Sequence, residues 1–214
     1  MTFSLVATIA RDGALDTRHY HRDAAPWNSL SKNKHWFRMI TTAVRPDKMA
    51  AHLCAYPSTV AIADGTRNDG LWHHDGNAVI MDLETWEDLD RPLSSRFNFV
   101  VSLGAMLCSE LSRALADAAS TQGEAFVIGG AQLYAEALQH PDLGALYITE
   151  VDAEYPDVHA LWPATFVPDD TGPYQRITKQ LANGRLRHWH RKNVSAWVEE
   201  PERPRYRLGI WKEG

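Results

Sequence analysis

The stretch that most constrains the fold is Ala125-Phe126-Val127-Ile128-Gly129-Gly130-Ala131-Gln132-Leu133-Tyr134. An apolar run of strand length meets two glycines, and a helical spacing then begins at Leu133, Ala137 and Leu138. Glycines at a strand-to-helix junction either tighten a turn or let backbone approach something closely. The helix that follows offers free N–H groups and the positive end of its dipole, which suits a phosphate. A Gly-Gly turn with no such role has the same spelling, and this stretch alone does not separate the two.

Its neighbours narrow the choice. Upstream lie Ser4-Leu5-Val6-Ala7, Pro26-Trp27-Asn28, Trp36-Phe37-Arg38, Asn77-Ala78-Val79-Ile80-Met81, Thr85-Trp86-Glu87, Arg91-Pro92-Leu93 with Arg96, and Asn98-Phe99-Val100-Val101-Ser102. Downstream lies Leu146-Tyr147-Ile148-Thr149-Glu150-Val151-Asp152-Ala153-Glu154. This ordered set resembles dihydrofolate reductase, and in Leu30 to Thr42 it is more similar to the fungal than to the bacterial form. The resemblance runs from about Phe3 to Pro163 and returns weakly over Tyr206 to Trp211. It implies an α/β domain built on a mixed, mostly parallel sheet of eight strands with helices on both faces. The ligand cleft would lie at the carboxyl ends of the strands, flanked by Val6, Ala7, Trp27, Asn33, Phe37, Ile128, Tyr147 and Thr149.

Composition agrees with a globular chain: 44% of residues are hydrophobic, 23% are charged, and the net charge is −5. At 214 residues one domain with a substantial core is expected, spanning 1–214. The negative balance gives no electrostatic footprint for nucleic acid or an anionic membrane. No apolar run reaches membrane-spanning length and no basic leader precedes the first strand, so a cytoplasmic location is expected. Cys54 and Cys108 have no metal spacing and suggest no disulfide framework.

Taken in order, Phe3 to Ala10 reads as a buried strand and Arg11-Asp12-Gly13 as a turn. The polar segment up to Pro26, with His19, Tyr20 and His21, corresponds to the family's mobile active-site loop. Asn28 or Ser29 can cap a helix over roughly Leu30 to Thr42, with Leu30, Phe37, Met39 and Ile40 on its apolar face. Residues 46–76 form an insertion relative to compact members, expected as a loop anchored by Trp72. Its His73-His74-Asp75 run points adjacent histidines apart with no third ligand placed, so no metal is expected. Ser109 to Ala119 has helical spacing, and Asp157 to Pro163 echoes a family turn. An extended hairpin is expected over about 174–212, turning near Gly184. Its basic-aromatic stretch Arg187-His188-Trp189-His190-Arg191-Lys192 reads as solvated, and Tyr206 to Trp211 as a closing edge strand.

Two departures from the family pattern bear on chemistry. Three positions before Trp36-Phe37 the family carries an acid that binds the pterin N–H groups and supports protonation of the imine nitrogen. Here that position is Asn33, which can donate and accept hydrogen bonds but cannot hold a negative charge. General acid–base assistance is worth roughly 10²–10⁴-fold, so the change argues against efficient folate reduction. Second, where the family reads Gly-Arg-x-Thr-Trp and its basic residues hold the 2′-phosphate of NADPH, this chain reads Asp82-Leu83-Glu84-Thr85-Trp86. After the next strand Ser102 is followed by Leu103, and Gln132 stands where some members carry arginine.

By resemblance, the catalytic candidates are Asn33, Trp27, Tyr147 and Thr149. Substrate-binding candidates are Val6, Ala7, Phe37, Ile128 and Arg96, the last matching an arginine that clamps folate's α-carboxylate. Cofactor-binding candidates are Thr8, Leu15, Thr85, Ser102, Gly129, Gly130, Gln132 and Tyr134. Three functions stay open. One is a diverged enzyme of specialised metabolism that delivers hydride from NADPH or NADH to a C=N or C=C bond of a non-folate small molecule. The second is an isomerase or cyclase that needs no cofactor. The third is a non-catalytic binding protein or an ordinary, divergent dihydrofolate reductase.

Overall fold

The structure, a computed structural model, describes residues 2–15, 30–55, 76–89, 91–101, 110–121, 123–158, 160–169 and 172–214. Its elements are β1 (Phe3–Ala10), α1 (Ser31–Thr42), α2 (Pro46–Ala55), β2 (Ala78–Asp82), α3 (Leu83–Glu87), β3 (Phe97–Val101), α4 (Glu110–Ala118), β4 (Ala125–Gly129), α5 (Ala131–Ala137), β5 (Leu143–Val151), β6 (Thr165–Asp169), β7 (Gly172–Gln180), β8 (Leu186–Val194) and β9 (Tyr206–Glu213).

The strands form one sheet in the order β3-β2-β4-β1-β5-β9-β8-β7-β6. The ladders from β3 through β5 are parallel, and those from β5 through β6 are antiparallel. The α/β class stands. Two details are corrected: the described sheet has nine strands rather than eight, and its ladders divide evenly rather than being mostly parallel. The reason is the C-terminal segment, which adds β6 to β9 as consecutive antiparallel strands. β9 is also not an edge. It pairs with β5 on one side and β8 on the other, so every residue from Tyr206 to Trp211 is buried.

Alternation on the central strands builds two cores. Ala78, Ile80, Ala125, Val127, Leu146 and Ile148 face α4 and α5. Val79, Met81, Phe126, Ala145 and Tyr147 face α1 and α2. Burial on both faces is why β2 and β4 read as continuous apolar runs. Helix α2 corrects the expectation of a loop from residue 46: Met49, Ala50 and Leu53 seal it into the second core. The remainder of that insertion, including Trp72-His73-His74-Asp75, lies outside the described residues. So do Trp27, Ser102, Cys108 and the loop bearing His19 and His21. No described helix is long and apolar enough to cross a membrane.

Helix α1 starts one residue later than its pattern suggests. Its N-cap is Leu30, which offers no side-chain cap, and the expected caps Asn28 and Ser29 lie outside the described residues. Its C-terminal end is held by Asn77, which is 1% exposed and sits just before β2. Asn77 Nδ2 donates to the carbonyls of Thr41 (3.1 Å) and Ala43 (2.9 Å), and its Oδ1 accepts from the Glu124 N–H (3.0 Å). One buried amide thereby joins α1 to the entry of β4. Asn77→Ala strands two carbonyls and an N–H away from water. We expect it to cost about 2–4 kcal/mol in urea denaturation, against a near-neutral change for a surface asparagine.

Candidate active site

A cavity of about 640 Å³ opens between α1, α3, the Gly129-Gly130 turn and the faces of β1 and β5. Of the residues singled out in the sequence, Val6, Ala7, Thr8, Leu15, Asn33, Phe37, Thr85, Arg96, Ile128, Gly129, Gly130, Tyr134, Tyr147 and Thr149 all line it. Gln132 does not: it is exposed on α5, outside the lining.

The polar centre is a chain of three side chains. Asn33, in the first turn of α1, donates from Nδ2 to Thr8 Oγ1 on β1 (3.0 Å). Thr149 on β5 donates from Oγ1 to Asn33 Oδ1 (2.7 Å). Thr8 and Thr149 are register partners on adjacent parallel strands, so a single amide spans both. The pairing is neutral throughout, and no carboxylate takes part in it.

Tyr147, two residues before Thr149 on the same strand face, is fully buried. Its hydroxyl does not serve the cavity. It donates to Asp47 Oδ1 on α2 (2.5 Å), and Asp47 also pairs with Lys212. Burial pushes the phenol's pKa up, and the hydrogen bond to Asp47 and its charge push it further. Tyr147 therefore keeps its proton while lining the cavity.

At the glycine turn, glycine is required by packing. A Cβ on Gly129 would lie 2.5 Å from Thr85 Oγ1, and one on Gly130 would collide with the Asp82 carboxylate. Asp82 caps α3, its Oδ1 accepting from the Thr85 N–H (2.8 Å). It is 5% exposed, and it lines the cavity together with Glu84 and Asp88. The peptide joining Gly129 and Gly130 is cis. Across the turn, the Tyr134 hydroxyl donates to the Val6 carbonyl (2.9 Å), pinning α5 to β1.

Beside α1 the lining is cationic. Arg96 lies over the Phe37 ring (5.6 Å) and donates to Thr41 Oγ1 (2.7 Å) and the Ser94 carbonyl (2.9 Å). No carboxylate among the described residues pairs with it. Burial, then repulsion from Arg38, pulls its pKa down to about 10. Asn98 fixes the turn that presents Arg96, bonding Leu93 N–H, Leu93 C=O and Arg96 C=O at 2.9–3.0 Å. An anionic group entering here would meet two cations, Arg38 and Arg96, that pair with no carboxylate among the described residues.

A model of the dihydrofolate reductase family matches residues 73–179, half of the chain. The chain belongs to the dihydrofolate reductase family. A bifunctional dihydrofolate reductase-thymidylate synthase of Acanthamoeba polyphaga mimivirus is 28% identical over 166 residues, covering 72% of this chain and 25% of that protein. Dihydrofolate reductase type 3 of Salmonella typhimurium is 38% identical over 117 residues, 46% of this chain and 70% of that protein. Dihydrofolate reductase of Bacillus subtilis (strain 168) is 35% identical over 109 residues, 42% of this chain and 63% of that protein. The chain thus spans a quarter of the viral protein and about two thirds of the bacterial ones.

Several residues that shape this dihydrofolate-reductase-like site carried no signal in the sequence. Asp47 reaches Tyr147 across 100 positions. Glu200, in the segment between β8 and β9, supplies an anion at the start of α1, whose first turn has none of its own. It accepts from Ser31 Oγ (2.7 Å) and the Tyr206 hydroxyl (2.5 Å), while the Tyr206 oxygen accepts from the Lys32 N–H (3.3 Å). Glu200 thus acts as a positioning residue for the turn that carries Asn33. Burial opposes its ionisation, but the bonds from Tyr206 and Ser31 outweigh it and hold its carboxyl below the usual range. A depressed carboxyl stabilises the fold above its unfolded pKa, and that contribution is lost as pH falls through the folded value. The stability difference between wild type and Glu200→Gln should therefore be full at neutral pH. It should shrink only below about pH 4.3. Paired urea titrations across pH 2–7 measure it; a difference that persists unchanged at the acid end contradicts this role.

Proposed function

We propose that this chain is a diverged reductase of the dihydrofolate reductase type that acts on a small molecule other than dihydrofolate, in specialised metabolism. The observation that carries the reading is Asn33. By the resemblance it stands where the family carries an acid; it lines the cavity, and Thr8 and Thr149 hold it as a neutral amide.

The cavity's fit to a reduced nicotinamide dinucleotide is uneven. Ala7, Ile128, Thr85 and Tyr134 offer a largely apolar wall suited to a flat nicotinamide ring. Asp82 and Glu84 at the glycine turn are unsuited to an additional phosphate dianion, since like charges at close range cost several kcal/mol, roughly. When bound, the dinucleotide supplies a hydride to the electrophilic carbon of a C=N or C=C bond. The other atom of that bond takes its proton from water, because Asn33 has no acidic proton and Tyr147 retains its own against Asp47. Arg96 and Arg38 favour a substrate with a carboxylate or similar anion remote from the reacting bond.

A second reading has its own support. The Asp82 carboxylate fills the space beside Gly130, where a phosphate would otherwise approach. That favours an isomerase or cyclase that uses no cofactor and holds one substrate in the whole cavity. The names of the relatives favour a third reading, an ordinary folate reductase with a divergent site.

The three readings part in two measurements. Calorimetric titration should give NADH binding at least as tight as NADPH; clearly tighter NADPH binding refutes the reading of Asp82 and Glu84, and binding of neither favours the cofactor-free enzyme. In a spectrophotometric assay with dihydrofolate, wild type should turn over slowly and Asn33→Asp should gain roughly 10²–10⁴-fold. Wild-type turnover at ordinary enzymatic rates would make the chain a conventional member.

A further inference from the structure

The hydrogen bonds of Asn33 define which edge of a ligand the cavity accepts. A carboxamide has two N–H donors and two carbonyl lone pairs. The 2.7 Å contact to Thr149 has the length of an O–H···O bond, and the 3.0 Å contact to Thr8 that of an N–H···O bond. The amide oxygen therefore faces Thr149 and the nitrogen faces Thr8. Each end of the amide retains one capacity: one N–H and one lone pair. No other described residue uses either. Asn33 is half-buried and lines the cavity, so both remaining capacities are available to whatever enters.

We propose that the substrate presents a neutral edge with one hydrogen-bond acceptor beside one donor, as a lactam does, and that a cationic amidine edge is rejected. A carboxylate in this position accepts at both oxygens and matches two donors carrying positive charge. The amide of Asn33 cannot. One of its two free groups is itself a donor, so an amidinium would set N–H against N–H and find no counter-charge on Asn33; the lining carboxylates Asp82, Glu84 and Asp88 stand at α3. Arg38 and Arg96, which line the same cavity without a described carboxylate partner, add to the penalty on a cationic ring. A lactam pairs with both groups, donor to acceptor and acceptor to donor.

This inference rests on the proposed reading in one respect, that the substrate lies over Asn33; it requires neither dinucleotide nor turnover. The test is equilibrium binding of two pteridines of one shape, 2,4-dioxopteridine and 2,4-diaminopteridine, to the full chain without cofactor. The titration is run where the diamino ring is protonated. Wild type should bind the dioxo compound about 10–100-fold more tightly than the protonated diamino compound, the penalty of one unmet buried group. Asn33→Asp should reverse the order. If wild type prefers the protonated diamino ring, the edge assignment is overturned while a pterin-sized pocket stands. If wild type binds neither compound, the assignment and the ring's place over Asn33 fall together. Should the variant not fold, the wild-type comparison decides alone.

Discussion

Asn33 joins α1 to β1 and β5 through Thr8 and Thr149, and the chemistry open to the cavity depends on that junction. The two threonines are neighbours across a parallel ladder, so their hydroxyls are fixed by backbone pairing. Between them a neutral amide is satisfied by one donor and one acceptor. An aspartate in the same place would also accept from Thr149, yet it would meet the Thr8 hydroxyl with a charge that burial disfavours unless a ligand compensates it. The observed arrangement needs no ligand to be satisfied. It offers a rigid hydrogen-bond template and no proton-handling group.

The template is only as well placed as α1. Three remote contacts hold that helix in register with the strands. Asn77 clamps its C-terminal end, Glu200 and Tyr206 occupy the N–H groups of its first turn, and Trp36 packs edge-on against the Tyr206 ring (5.6 Å). These contacts come from the loop before β2, from the β8–β9 connection and from β9. The antiparallel half of the sheet, which has no part in lining most of the cavity, therefore fixes the geometry of the parallel half, which does.

What was legible in the sequence follows from this division. β1, β2, β4 and β5 are buried on both faces, so their apolar runs announce them, and the glycine turn and Thr149 follow by position. The cavity lining was legible because it is made from those strand ends and from α1. The antiparallel half was not. β8 reads as a solvated basic stretch, yet Arg187 is buried at 7% exposure. It makes a two-pronged pair with Glu213 (2.8 and 2.6 Å), donates to the Leu143 carbonyl (2.8 Å) and lies over Trp189 (4.9 Å). Arg207 is likewise buried, its Nε donating to Glu150 Oε2 (2.8 Å). A charge appears solvated in a pattern until its partner is known, and both partners lie on other strands. Asp47 and Glu200 escaped notice for the same reason, since Tyr147 and Ser31, which they hold, lie 100 and 169 residues away in the chain.

The glycine turn carries a related lesson about charge. Gly129 and Gly130 read equally as a phosphate cradle or as a turn. Their missing side chains leave room for Thr85 and Asp82, which is sufficient reason for glycine at both positions. Asp82 already satisfies the Thr85 N–H, one of the donors a helix start would otherwise offer to an anion. A phosphate brought to about 4 Å from that carboxylate would face a repulsion of about 1 kcal/mol in water-like surroundings and about 4 kcal/mol near a protein surface. The opposite condition holds beside Phe37, where Arg96 and Arg38 repel each other and have no described carboxylate between them. The lining is thus acidic at α3 and basic at α1, with a neutral amide at its polar centre. A ligand that satisfies all three has its anion toward Arg96, a neutral heterocyclic edge at Asn33, and no dianion near Asp82.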